Sequence, residues 1–120
     1  MRKKVFTIII SCFNSSKYLE KCLKSILEQN KNFFSYNIIF IDDGSTDDSL
    51  AIAKVKLKDN KNSKIIINKK NIGLSKSCNK AIKACTTKYF IRVDSDDYVS
   101  KNFIHFFEKK IKNNKDFIFC

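Results

Sequence analysis

The sequence has no proline, no tryptophan and only two glycines among its 120 residues. With so few glycines it contains neither a G-x-G-x-x-G dinucleotide fingerprint nor a G-x-x-x-x-G-K-[ST] phosphate loop, which excludes two common nucleotide-binding motifs. No proline interrupts the apolar pattern, and no repeat or low-complexity linker divides it. We therefore expect a single domain over residues 1–120.

Histidine and paired cysteines are also scarce. His105 is the one histidine, and none of the five cysteines forms a C-x-x-C pair, which excludes a Cys/His zinc cluster. The cysteines are expected to be reduced and to pack as small apolar side chains. No apolar run is long enough to span a bilayer, and residues 5–10 are too short for the apolar region of a signal peptide. The predicted location is the cytoplasm.

Arginine is nearly absent from a strongly basic chain. The formal net charge is +12, yet Arg2 and Arg92 are the only arginines, and the lysines are spread along the whole sequence. Nucleic-acid readers concentrate arginines and aromatic residues on one face, so a basic α/β nucleic-acid-binding domain ranks as an alternative and no nucleic acid partner is expected. The charge favours phosphorylated ligands, or attachment to the anionic inner face of the cell membrane.

Apolar runs alternate with helical stripes along the chain. Buried strands are predicted at residues 5–10, 36–41, 64–67 and 89–93, with the start of a fifth at 116–120. Apolar residues recur at helical spacing at 19–27, 51–55, 78–85 and 104–111. This alternation predicts an α/β fold with a mostly parallel sheet and helices on both faces. Because the sequence stops within its fifth apolar run, we expect a fold truncated at the C-terminus.

Two acidic clusters follow predicted strands. Asp94, Asp96 and Asp97 come directly after the fourth strand, and Asp42 and Asp43 come directly after the second. Crowded carboxylates repel one another unless a hard cation such as Mg²⁺ or Mn²⁺ binds them through its preferred oxygen ligands. The carboxyl ends of parallel strands share one edge of the sheet, where ligands bind in open α/β folds. We therefore predict one site at this edge, with Asp96 as a direct metal ligand.

Simpler explanations of the same residues stay open. Residues 94–97 lack the later glycine and glutamate of an EF-hand loop and follow the wrong strand for a phosphatase nucleophile, which leaves a solvated turn as the alternative to a metal site. The other cluster could form an Asx turn and a helix cap, a role we favour for Asp47 and Asp48. The ring of Phe13 could stack on a base or belong to the core.

In combination and order, four motifs resemble the N-terminal part of the family 2 glycosyltransferases. They are TIIISCFN at 7–14, IDDGSTD at 41–47, NIGLS at 71–75 followed by Asn79, and VDSDD at 93–97. The resemblance implies a Rossmann-like GT-A fold and the inverting transfer of a sugar from a nucleotide-diphosphate donor, with a UDP-sugar as the expected donor. The expected acceptor is a sugar or lipid-linked saccharide, in the synthesis of a cell-surface polysaccharide or glycoconjugate.

The resemblance also implies roles for single residues. Phe13 would stack on the nucleobase and Asp43 would hydrogen-bond it. Asp96, Asp94 and Asp97 would hold Mn²⁺ or Mg²⁺, which would neutralise the charge that develops on the departing diphosphate. The expected donor-binding residues are Ser11, Phe13, Asn14, Asp42, Asp43, Gly73, Asn79, Asp94, Ser95 and Asp96.

The catalytic base of the family has no counterpart in these motifs. By the resemblance it would lie beyond residue 120, together with the acceptor-binding segments, so no catalytic residue is assigned within the chain. The chain alone is then expected to bind a donor without transferring its sugar. The alternative in a different functional class is a non-catalytic nucleotide-sugar-binding or metal-binding fragment.

Overall fold

A computed structural model describes residues 4–29 and 35–112. Strands and helices alternate within these ranges, as the sequence predicts. The strands are β1 (Lys4–Cys12), β2 (Ser35–Asp43), β3 (Ser63–Asn68) and β4 (Tyr89–Asp94). The helices are α1 (Ser16–Leu27), α2 (Ser49–Leu57), α3 (Leu74–Lys83) and α4 (Phe103–Lys112). The fifth strand predicted at 116–120 lies outside the described residues.

The four strands form one parallel sheet in the order β3-β2-β1-β4. β1 is central, and its consecutive residues Ile8, Ile9 and Ile10 are all fully buried or nearly so. A strand with helices on both sides of its sheet needs apolar residues at every position, which explains its unbroken β-branched run. The predicted α/β class and the parallel sheet are confirmed.

The two faces of the sheet have different covers. On one face, Phe6, Ile8 and Ile10 pack in a large core with residues of α1, α2 and α4. On the other, Ile9 and Ile39 belong to a smaller core that includes Ala81 of α3. Within the described ranges, no helix combines the length and apolar character needed to cross a membrane.

The orientation of α2 differs from the one its spacing suggested. The sequence predicted a stripe of Ala51, Ile52 and Val55, but the structure buries Ala53 and Leu57, leaves Ile52 half-buried against the large core and leaves Val55 73% exposed. Apolar residues lie all round this short helix, so periodicity alone does not select its buried face. Burial goes to the pair spaced four residues apart that includes the large leucine, with the small Ala53 close to the sheet.

The strand registers bring the polar motifs to one edge. At the carboxyl end of the sheet, Ser11 of β1 is opposite Asp94 of β4, and Asp43 of β2 is opposite Asn68 of β3. Residues that are far apart in sequence therefore form a single row. The predicted convergence of the motifs is confirmed.

Candidate functional site

The three carboxylates after β4 form an exposed acidic cluster. Asp94, Asp96 and Asp97 each place a carboxylate oxygen within 4.8 Å of the others, and all three side chains are exposed. A tight turn brings them together, since the Asp97 N–H donates to the Asp94 carbonyl oxygen at 3.0 Å. A divalent cation fits this donor set, because hard cations take carboxylate oxygens and fill their remaining positions with water or substrate phosphate. The residues predicted as metal ligands are thus adjacent.

Contacts beneath the acidic cluster fix its turn. Ser95 is buried, and its hydroxyl shares a 2.7 Å hydrogen bond with that of Ser15 in the β1–α1 loop. The Cys22 thiol donates to the Asp94 carbonyl oxygen at 3.6 Å. Burial raises the pKa of Cys22 to about 12, and the negative charges nearby add to the shift, so the thiol stays neutral. The hydroxyl of Ser95 therefore already has a hydrogen-bond partner within the protein. Its predicted contact with a donor stays a prediction.

Asp43 is buried and holds the loop between β3 and α3. Its Oδ1 accepts hydrogen bonds from the Asn68 amide at 3.0 Å and the Ile72 N–H at 2.8 Å, and its Oδ2 accepts one from the Gly73 N–H at 3.0 Å. Burial acts to raise the pKa of Asp43, but these hydrogen bonds outweigh it and lower the pKa below its ordinary value. A carboxylate oxygen can accept twice, so Oδ2 retains capacity for the base contact, which stays a prediction.

Sequence reasoning missed a polar network behind Asp43. Asn68 donates to the Ser77 hydroxyl at 3.0 Å and accepts from the Lys80 ammonium at 2.8 Å. Asn68 and Ser77 are both buried, so these bonds satisfy groups that water does not reach. An asparagine at the end of an apolar strand was the available signal, together with a serine and a lysine spaced i, i+3 on the next helix.

Asn14 links the loops that follow β1 and β2. Its backbone has a positive φ of 52°, which asparagine tolerates better than most residues. The Asn14 N–H donates to the Ser45 hydroxyl at 2.9 Å, and the Asn14 side-chain oxygen accepts from the Thr46 N–H at 2.8 Å. The structure therefore gives Asn14 a positioning role, and its predicted donor contact stays a prediction.

The remaining predicted donor-binding residues differ in exposure. Phe13 is 47% exposed, so the alternative that placed its ring in the core is wrong. Asp42 is buried, and its Oδ2 accepts from the Ser45 N–H at 3.1 Å in a turn of the Asx kind. Ser11 is half-buried, and Asn79 is exposed on α3. Of these residues, Phe13 and Asn79 have the side chains most exposed to a ligand.

The helix cap predicted for Asp47 and Asp48 belongs to Asp47. Its Oδ1 accepts from the Ser49 N–H at 2.9 Å and its Oδ2 from the Ser16 N–H at 3.1 Å, so one carboxylate holds the starts of two helices. Asp48 is the N-cap residue of α2 by position, and its carbonyl oxygen accepts from the Ile52 N–H, but its side chain makes no capping bond. The first free N–H of α2 already donates a hydrogen bond to the carboxylate of Asp47.

We expect Asp47→Asn to remove part of the acid sensitivity of the fold. Burial acts to raise the pKa of Asp47, but the hydrogen bonds from Ser49 and Ser16 together outweigh it and lower the pKa to about 2. An aspartate whose pKa is lower in the folded state stabilises the fold at pH values above its unfolded-state pKa of about 4. This contribution is lost as the pH falls towards the folded-state pKa. Because the group is exposed, solvent screening limits the contribution to about 1 kcal/mol.

Urea unfolding followed by circular dichroism at several pH values measures this effect. The difference in unfolding free energy between wild type and Asp47→Asn should be largest near neutrality and should shrink between about pH 4 and about pH 2. Asp48→Asn is the matched control, because Asp48 makes no side-chain capping bond, and at neutral pH it should change the unfolding free energy less than Asp47→Asn does. A difference that is constant with pH would contradict the role of the Asp47 charge.

Comparisons with known proteins give the same picture. The sequence matches the family described as glycosyl transferase family 2 over residues 7–120. The teichoic acid poly(glycerol phosphate) polymerase of Staphylococcus epidermidis is 34% identical over 113 residues, which cover 93% of this chain and 15% of that protein. In eight of the curated relatives it matches, the chain spans 14–34% of their length.

Solved structures share this arrangement of strands and helices. Staphylococcus aureus TarS 1–349 in complex with UDP-GlcNAc matches with a TM-score of 0.83 and 30% identity, covering 91% of this chain and 31% of that one. The mannosyltransferase PcManGT from Pyrobaculum calidifontis, in complex with GDP-Man and Mn²⁺, matches with a TM-score of 0.75 and 18% identity, covering 82% and 30%. The second likeness, at its lower identity, shows the fold alone.

Proposed function

The chain belongs to glycosyltransferase family 2 and has the N-terminal part of its GT-A fold, and we propose that it binds the nucleotide-sugar donor of an inverting sugar transfer. The observation that carries the proposal is the row of polar groups at the carboxyl edge of the sheet. The exposed cluster of Asp94, Asp96 and Asp97 lies at the end of β4, and Asp43 with its loop lies at the end of β2.

The acidic cluster would hold Mn²⁺ or Mg²⁺ through its exposed carboxylates. The bound ion would supply charge neutralisation on the diphosphate, which becomes the leaving group of the transfer. Support comes from the adjacent carboxylate oxygens. It also comes from the Mn²⁺ found with a protein of the same fold.

Other residues of the chain would bind and orient the donor. The exposed ring of Phe13 offers a face on which a base can stack, and Oδ2 of Asp43 offers an acceptor to a base N–H. We take UDP as the nucleotide because a structure 30% identical to this chain holds UDP-GlcNAc. The hydrogen bonds of Asn14 and Asp47 hold the surrounding loops in place before a ligand arrives.

Transfer itself requires a general base near the acceptor hydroxyl. We assign none to the described residues and place that group, with the acceptor sites, outside them. The proposed product is a cell-surface polysaccharide or glycoconjugate, which the similarity to a teichoic acid polymerase supports. A cytoplasmic location near the inner face of the membrane completes the proposal, supported by the net charge of +12.

Isothermal titration calorimetry with UDP tests the proposal. We expect UDP to bind in the presence of Mn²⁺ and its affinity to fall by about 100-fold or more after chelation, since the ion would neutralise charge on the diphosphate. GDP is the control for the base contacts and should bind more weakly than UDP. Equal UDP affinity with and without the metal would contradict the metal site.

A further inference from the structure

Arg92 is the one arginine in the described part of the chain. It lies on β4 two residues before Asp94, and it pairs in register with Ile9, which faces α3. Alternate residues of a strand share a face, so Arg92 and Asp94 point to the same side of the sheet. The guanidinium therefore lies directly below the acidic cluster, on the side of α3.

The N–H donors of this guanidinium make no close hydrogen bonds that the structure records within the protein. Nη2 lies 3.9 Å from Oδ1 of Asp94, and Nη1 lies 4.0 Å from the sulfur of Cys78, both long contacts. Nε is buried without a hydrogen-bond partner. An arginine retained for stability would be expected to meet a carboxylate at close range, because an unmatched buried donor destabilises the fold. Arg92 has a planar fork of N–H groups, and its ion pair with Asp94 is too long for a hydrogen bond.

The space beside Arg92 is open. A cavity of about 200 Å³ at the free edge of β4 is lined by Arg92, Asp94, Asp97 and Tyr98, and also by Val93, Val99 and Phe103 from the α4 side of the sheet. The Arg92 side chain is 30% exposed, so part of it is accessible to a ligand. A phosphate group at this edge would lie next to Arg92 and to the acidic cluster.

The net charge of the acidic cluster favours a positively charged side chain beside it. Three carboxylates and one divalent ion leave a negative charge uncompensated, which would repel a diphosphate. Among the described residues, Arg92 supplies the positively charged side chain that lies within ion-pair distance of the cluster. Adding its charge makes the combined site neutral before the diphosphate arrives.

We propose that Arg92 binds the diphosphate of the donor beside the acidic cluster, at the free edge of β4. The planar guanidinium matches two phosphate oxygens at once, which a lysine at the same place would not do. The proposal rests on the proposed function, because it names a ligand group of the same site.

Binding of UDP and of uridine to Arg92 variants separates the diphosphate from the base. In the presence of Mn²⁺, we expect Arg92→Gln to weaken UDP binding by about 10- to 100-fold, the range for a lost charged hydrogen bond. Uridine affinity, measured by NMR titration, should change less than about twofold, since uridine lacks the diphosphate. Arg92→Lys keeps the charge without the fork and should fall between wild type and Arg92→Gln.

Lys64→Gln is the matched control, because it removes the same charge from the exposed face of the opposite edge strand. It should leave UDP affinity unchanged. Equal losses for UDP and uridine in Arg92→Gln would overturn the proposal and make Arg92 a residue of the fold. Unchanged UDP affinity would overturn it as well.

Circular dichroism checks that the variants fold. If Arg92→Gln does not fold, Arg92→Lys decides, with a selective loss of UDP affinity in support and an unchanged affinity against. A wild-type chain that binds no UDP would overturn the proposed function, and this inference with it. Wild-type binding that is independent of Arg92 overturns the inference alone.

Discussion

Asp96→Asn is expected to lower the Mn²⁺-dependent affinity for UDP by about 100-fold or more, because it replaces a direct metal ligand. Replacing a residue that only hydrogen-bonds a metal ligand usually causes a smaller loss. The carboxylate of Asp96 lies within 4.8 Å of those of Asp94 and Asp97 and is exposed. An amide oxygen can still contact the ion, but it carries no charge to attract it. The variant should therefore bind UDP about as weakly as the wild type does after chelation.

Asp48→Asn is the control for this experiment. It removes the same charge from an exposed carboxylate that makes no capping bond at the start of α2. Titration of both variants with UDP, at fixed Mn²⁺ and again with a chelator, measures the two effects. If Asp48→Asn lost more affinity than Asp96→Asn, the metal site would have to lie elsewhere.

Gly44→Ala is expected to lower the free energy of unfolding by about 3–5 kcal/mol, the combined effect of backbone strain and overpacking. Gly44 has a φ of +73°, and a Cβ there would lie 2.6 Å from the backbone nitrogen of Asn71 and 2.7 Å from the carbonyl carbon of Lys70. Both neighbours are backbone atoms, so relief requires the β3–α3 loop to move. That movement would draw the N–H groups of the loop away from Asp43.

Gly73→Ala separates the two causes. Gly73 also has a positive φ, of +96°, but a Cβ there would meet nothing within 4 Å. It should lose only the strain component, about 1–3 kcal/mol. Urea unfolding of both variants gives the comparison, and a larger loss for Gly73→Ala would show that the approach of the two loops at Gly44 is not limiting.

The sheet and the place of the site were predictable from the sequence because both depend on local patterns. The apolar run of β1, interrupted only by Thr7, has few alternatives to a buried parallel strand. Once the strands are parallel, their carboxyl ends share an edge, and Asp43 and Asp94 must come near each other. The prediction needed no knowledge of side-chain contacts.

The partners of individual side chains were not predictable in the same way. Ser95 belongs to the same short motif as the acidic cluster, but its hydroxyl points inward to Ser15, 80 residues away. The bonds of Asn68 depend on how α3 packs against the sheet. The choice between Asp47 and Asp48 as the cap depends on the geometry of one turn. Each of these outcomes is set by tertiary packing, which periodicity does not contain.

The strand order has a consequence for how the site is assembled. β1 pairs with β2, about 30 residues away, and with β4, about 80 residues away. Closing the longer loop loses more chain entropy, by about 1 kcal/mol for such a ratio of lengths. The strand bearing the acidic cluster is thus the most distant contributor to the sheet. An ion bound at the acidic cluster would, by mass action, stabilise the chain in which β4 has paired with the sheet over a partly folded chain. The ion that serves the chemistry would therefore also stabilise the fold.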